Sequence, residues 1–307
     1  MTRFQQKATP FPILIPDPRG VEEPKKDRRI IRVFPRRTKA TPVDENVRLG
    51  IGPCLFDEAD EVQVSVTFSW DLPLAERLAK EWERVAPVKV GGPATGMRGE
   101  AFFPGVYVRS GYTITSRGCP NHCWFCDVWW REGPVRELPI MPGNNVLDDN
   151  LLACSDQHIN SVFDMLSKQK QVQFTGGLEA ARLKEWHVRR IRELHPKQLF
   201  FAYDTPDDLL PLQRAAEMLL DAGFTTASHT LRAFVLVGYP KDTFNAAGKR
   251  MEETLAAGFT PMAMLWRDRD GKRDKEWARW ARTWARPAII HGASTRSTFA
   301  ASAIGTG

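Results

Sequence analysis

At 307 residues, 42% hydrophobic and 26% charged, the chain has an ordinary globular composition and enough length for one large domain or one and a half. Its 43 basic and 37 acidic residues give a formal charge of +6, a mild excess compatible with an anionic partner without requiring one. No run approaches the ~18 consecutive apolar residues of a membrane-crossing helix, so no membrane partner is expected. The opening Met1-Thr-Arg-Phe-Gln-Gln-Lys has no apolar signal core, and five clustered cysteines fit a reducing compartment and metal use, so a cytoplasmic protein is expected.

Residues 1–45 are rich in Pro, Lys and Arg and read as a basic, loosely ordered arm with one short strand at Ile30–Phe34. A small α/β unit is expected over 46–104. Within it, Val62-Gln-Val-Ser-Val-Thr-Phe alternates with period two and predicts a strand. Leu74–Val85 has helical spacing, and Val88-Lys-Val-Gly-Gly-Pro predicts a second strand ending in a turn.

From Tyr112 onward, predicted strands and helices alternate, the signature of parallel β/α units. Strands are expected at Tyr112–Thr115, Asn145–Asp149, Gln171–Thr175, Gln198–Tyr203, Leu231–Val237 and Pro261–Leu265. Helices are expected at Gln157–Lys168, Leu183–Leu194 and Asp208–Ala222, and after Thr243. Six such repeats predict a partial (β/α)6 barrel over roughly 105–270, with function carried by the loops at the strands' carboxyl ends. Residues 271–307 are expected to form a Trp/Arg-rich helix and a flexible tail.

The most informative feature is Cys119-Pro-Asn-His-Cys123-Trp-Phe-Cys126, which follows the first of these strands. It offers three soft thiolates from one loop and no obvious fourth, which suits a cubane iron–sulfur cluster with one iron left open. An open metal position marks catalytic sites more often than structural ones. The alternative is a zinc site completed by His122 or by a distant cysteine, Cys54 or Cys154. Zinc modules usually present two ligand pairs separated by a spacer, and His122 adjoins Cys123, so sharing one ion would strain the loop.

The run Gly111-Tyr-Thr-Ile-Thr-Ser-Arg-Gly-Cys119-Pro-Asn-His-Cys123-Trp-Phe-Cys126 resembles the cluster loop of radical S-adenosylmethionine (radical SAM) enzymes. The resemblance implies that Cys119, Cys123 and Cys126 hold a [4Fe-4S] cluster whose fourth iron is chelated by the amine and carboxylate of S-adenosylmethionine. It also implies a flavodoxin- or ferredoxin-type reductant as partner, and Phe125 beside the cluster or the adenine. Residues 60–96 weakly resemble the end of the cobalamin-binding domain that precedes some radical SAM domains. They lack the Asp-x-His-x-x-Gly element that ligates cobalt there, and an ordinary α/β cap is the alternative.

Thr175-Gly176-Gly177-Leu178-Glu179 resembles the family's Gly-Gly-Glu motif, which implies cofactor contacts for Gly176, Gly177 and Glu179. Leu178 interrupts the pattern, and Glu179 has the alternative of starting a helix. Tyr203-Asp204 stands where the family places ribose or methionine contacts, although Thr205-Pro206-Asp207 also reads as a turn. Gly238-Tyr-Pro-Lys241-Asp242 resembles the family's adenine-supporting turn, with its acid one residue late.

Asp148-Asp149-Asn150 reads either as a substrate or cofactor contact or as a helix cap. His229 is a proton-transfer group or a structural histidine, and Cys154 a reactive thiol or a buried apolar side chain. Trp277, Trp280 and Trp284 share a helix face beside Arg279, Arg282 and Arg286. That face reads either as a platform for nucleic acid or as a docking stripe.

The expected function is therefore reductive cleavage of S-adenosylmethionine to a 5′-deoxyadenosyl radical acting on an unidentified substrate. The rivals are a methylthiotransferase or methyltransferase of the same family, and a noncatalytic, metal-stabilised nucleic-acid-binding protein.

Overall fold

The computed structural model describes residues 28–99, 101–268 and 270–285. The expected arm before Arg28 and the tail after Ala285 lie outside those residues. The chain divides into two compact units, Met1–Gly143 and Asn144–Gly307.

In the first unit, β1 (Ile30–Phe34), β2 (Val47–Leu49), β3 (Glu61–Ser65) and β4 (Val88–Gly91) form a parallel sheet in the order β2-β1-β3-β4. The strand expected at Ile30–Phe34 is thus an interior one, and Ile31 and Val33 are fully buried. Helix α1 (Leu72–Trp82) begins with Pro in its first turn and buries Ala75, Leu78 and Trp82, a spacing of three and four that makes one apolar face. These side chains pack with Val62, Val64 and Val66 into one core.

Period-two alternation normally marks a half-exposed strand. All five residues of β3 are nevertheless buried. Its polar face is satisfied instead of solvated: Glu61 pairs with Arg28 at 3.1 Å and Lys89 at 2.7 Å, and accepts from Gln63 at 2.6 Å. Tyr107 donates to Gln63 from the same side. Pairing of this kind is what makes buried polar groups tolerable.

The unit continues through β5 (Tyr112–Thr113), β6 (Ser116–Arg117), α2 (Val128–Arg131) and β7 (Arg136–Glu137). The last strand pairs antiparallel with β6.

In the second unit, β8 (Asn145–Val146), β9 (Gln173–Phe174), β10 (Gln198–Ala202), β11 (Leu231–Val237) and β12 (Thr260–Leu265) are parallel neighbours in chain order. They are connected by α3 (Asp156–Leu166), α4 (Glu185–Glu193), α5 (Leu209–Asp221) and α6 (Phe244–Ala256). Leu199 and Phe201 of β10 and Ala233, Val235 and Val237 of β11 are fully buried alternate residues. That places one sheet face under apolar helix stripes such as Leu212, Ala215, Ala216 and Leu219 of α5. Phe201 meets Phe259 edge-on at 5.2 Å, and Phe163 of α3 meets Phe174 at 6.2 Å.

Hydroxyls set two helix starts: Ser155 accepts the His158 N–H and Thr243 the Ala246 N–H. Helix α7 (Lys275–Thr283) is capped by Asp274, which accepts from Glu276 and Trp277.

Candidate functional site: a three-cysteine loop and the strand ends of the second unit

The cysteine loop is built on a clip. Strands β6 and β7 pair at its base, and Leu138 donates to Thr115 at 2.8 Å just outside them. Gly118 turns the chain with φ +92°, a conformation glycine adopts at no steric cost. The next N–H, from Cys119, donates to the Gly133 carbonyl at 3.2 Å, and Cys126 donates to the Cys123 carbonyl at 3.1 Å. The Trp129 indole N–H reaches that same Cys123 carbonyl at 3.3 Å.

Behind the loop, Glu132 is buried at 3% exposure. It accepts from the Gly99 N–H at 3.1 Å, Arg131 at 3.1 Å and Arg136 at 3.2 Å. Arg136 also donates to the Gly99 carbonyl at 2.7 Å, so one carboxylate ties the end of α2 to the chain before β5.

Cys119, Cys123 and Cys126 are all half-buried, within reach of a ligand yet partly sheltered from water. Phe125 is half-buried and meets Trp124 edge-on at 5.3 Å, while Trp124 is 59% exposed. Among the described residues no three His, Cys, Asp or Glu side chains converge as they would around one ion. The fit to a cluster therefore rests on donor chemistry: three thiols on one short loop, the number that ligates three irons of a cubane.

In the second unit the remaining expected residues fall at the carboxyl ends of adjacent strands. The two glycines after β9 differ in kind. A Cβ on Gly176 would come 2.5 Å from the Asp148 carbonyl oxygen, so this glycine serves strand packing. Gly177 has φ +105° with nothing within 4 Å of a built Cβ, which leaves its backbone open to a ligand. Leu178, the inserted residue, is buried and donates to the Phe200 carbonyl at 2.7 Å. Glu179 accepts from Asn150 at 2.6 Å and from Arg182 at 2.7 Å through the same oxygen.

Tyr203 is 3% exposed and its hydroxyl donates to Glu253 of α6 at 2.6 Å, so it faces the helix layer. Burial and the Glu253 acceptor push its phenol well above the ordinary range. Asp204 is the polar group left at the end of β10. It accepts the Leu236 N–H of β11 at 3.0 Å, and burial, reinforced by Asp208, raises its carboxyl to about 7.

Gly238, after β11, donates its N–H to Asp242 at 2.8 Å, and the Asp242 carboxylate is buried beside Arg250 at 2.8 Å. Lys241, at φ +71°, is the extra residue that lets an acid one position late still close this turn. A Cβ on Gly238 would stand 2.9 Å from the Trp277 ring, so the glycine admits the indole. Trp277 also lies 4.3 Å from Phe244, and Trp280 lies 6.1 Å from it, while Arg279 and Arg282 stay exposed. The tryptophan face of α7 is thus occupied in packing.

Asp148 is buried and Asp149 half-buried beyond β8. Cys154 is half-buried, and His229 is exposed at φ +51° with its ring against the Thr260 hydroxyl at 3.2 Å. A cavity of about 200 Å³ in the first unit had no signal in the sequence. It lies at the carboxyl ends of β3 and β4, lined by Phe68, Trp70, Gly96 and Trp130 among others. Its walls come from three separated segments that no local sequence pattern brings together.

The sequence matches no protein-family model and no curated protein. The structure does have a solved counterpart: the radical S-adenosylmethionine methyltransferase TsrM from Kitasatospora setae, solved with cobalamin and a [4Fe-4S] cluster bound. The TM-score is 0.55 at 10% identity, covering 78% of this chain and 75% of that one. The likeness is one of fold. It extends beyond the second unit, since residues 144–307 make up little more than half of the chain.

Proposed function

We propose that this chain is a radical SAM enzyme with the family's partial (β/α)6 barrel over roughly residues 105–270. The observation that carries the reading is the Cys119/Cys123/Cys126 loop, clipped and braced as described, in a chain with the fold of a radical SAM enzyme. Cys119, Cys123 and Cys126 would hold a [4Fe-4S] cluster, which when bound supplies the electron that splits S-adenosylmethionine into methionine and a 5′-deoxyadenosyl radical.

The chain's own residues bind, orient and exclude water. Gly177 offers an open backbone to the methionine end of the cofactor, and the Gly238 turn, closed by Asp242, supports the adenine. Phe125 shelters the cluster edge. The reductant would be of flavodoxin or ferredoxin type.

Anaerobic reconstitution with iron and sulfide, then dithionite and S-adenosylmethionine, tests this directly. Formation of 5′-deoxyadenosine and methionine, lost in Cys123→Ala, supports it; equal turnover in that variant refutes it.

A second reading, methyl transfer with a corrinoid, is favoured by the cobalamin bound in TsrM and by the extent of the likeness, 78% of this chain, which exceeds the second unit. Against a histidine-ligated corrinoid, the one histidine of residues 1–143 is His122, inside the cysteine loop. Cobalt retention and the visible spectrum after incubation with hydroxocobalamin decide between the two.

A further inference from the structure

The ends of β9, β10 and β11 lie side by side, so the Asp204 carboxyl stands between the Gly177 and Gly238 turns. In the reading above, those turns hold opposite ends of S-adenosylmethionine, and the sulfonium lies between the two ends. Asp204 is also the acid of this row whose charge is unmatched. Glu179 is paired with Arg182 and Asp242 with Arg250, whereas Asp204 has no ion-pair partner among the described residues. Its Oδ1 is fixed by the Leu236 N–H, which leaves Oδ2 without a hydrogen bond there.

We propose that Asp204 is the counter-charge for the ligand's sulfonium, and so the residue that distinguishes the charged S-adenosylmethionine from the neutral thioether S-adenosylhomocysteine. This rests on the radical SAM reading and adds to it a selectivity residue. Tyr203 is turned to α6 and takes no part.

The energetics favour the assignment. A carboxyl desolvated by burial and crowded by Asp208 is raised to about 7, and a fixed cation beside it would draw it into the ionised form. The other charged group acting on it is Arg250, which opposes the rise and is itself ion-paired with Asp242. Binding of the sulfonium should therefore release a proton from Asp204 near neutral pH, while binding of the thioether should not.

The test compares the affinities of cluster-loaded protein for the two ligands, by anaerobic calorimetry between pH 6 and 8.5. The sulfonium also acidifies the ligand's own amine, which the thioether does not, so the preference of wild type is read against that of Asp204→Asn at each pH. At pH 8.5 wild-type protein should prefer S-adenosylmethionine about tenfold more strongly than Asp204→Asn does, the scale of one charge-assisted contact, and the gap should close as pH falls through about 7. Asp204→Asn keeps an oxygen for the Leu236 N–H, so its fold and its contact to β11 are retained. Glu217→Gln, on the exposed face of α5, should leave the preference intact.

A preference at pH 8.5 that Asp204→Asn leaves unchanged overturns the assignment while leaving the radical SAM reading in place. So does a gap between the two proteins' preferences that is flat with pH. Cluster-loaded wild-type protein that binds neither ligand overturns both.

Discussion

The Gly133 carbonyl oxygen accepts the Cys119 N–H at 3.2 Å and leaves no room for a side chain on Gly118, whose Cβ would come within 2.6 Å of it. Gly118 is also at φ +92°, where L side chains are strained. Gly118→Ala should therefore displace the first cysteine of the loop and abolish cluster uptake. Iron and sulfide analysis after anaerobic reconstitution checks this; four irons per chain in the variant would contradict it.

Glu132 joins Arg131, Arg136 and the Gly99 N–H behind the same loop. Removing one partner of a buried ionic group leaves uncompensated charge, at a cost of about 3–5 kcal/mol. Glu132→Ala should lower the unfolding free energy by that order and reduce cluster occupancy, whereas Glu132→Gln, which still accepts from Gly99, should do less of both. Denaturant titration together with iron content measures the two effects.

The two glycines after β9 should part company. Gly176→Ala forces a methyl onto the Asp148 carbonyl and should lower the melting temperature by several degrees. Gly177→Ala projects into open space, so its cost is confined to its φ of +105°. That variant should fold and load its cluster, yet bind S-adenosylmethionine more weakly. Thermal denaturation and ligand titration separate the cases.

Much of this was legible in the sequence for a physical reason. Parallel β/α units repeat two periodicities, so Leu231–Val237 is found where its apolar run predicts, and the other strand ends move by a few residues at most. Thiolate spacing is local chemistry and reads directly from Cys119, Cys123 and Cys126. What could not be read is whatever depends on which neighbour arrives. The alternation from Val62 predicts a strand but not that its polar residues, Glu61 and Gln63, are buried with Arg28, Lys89 and Tyr107, brought from distant segments. Tyr203 and Asp204 look equally polar on the page, and α6 and Leu236 decide which is turned to the helices and which stays at the strand end.

Asp204 also makes a statement about stability. Its folded-state value, about 7, lies above the ordinary carboxylate range, so the native state holds the proton more tightly than the unfolded chain. Its contribution is full below about pH 4 and is lost as pH rises to about 7. Asp204→Asn should thus be more stable than wild type at pH 8, by an amount on the order of a few kcal/mol, and no more stable at pH 4. Denaturant midpoints at the two pH values test the sign; an equal difference at both would show that the carboxyl is unperturbed.

The most direct measurement of the central claim is low-temperature electron paramagnetic resonance of anaerobically reconstituted, dithionite-reduced protein, with and without S-adenosylmethionine. A reduced cubane signal that changes on adding S-adenosylmethionine and is absent from Cys123→Ala is the predicted result. Protein carrying a single zinc, or a cubane signal indifferent to S-adenosylmethionine, would contradict it.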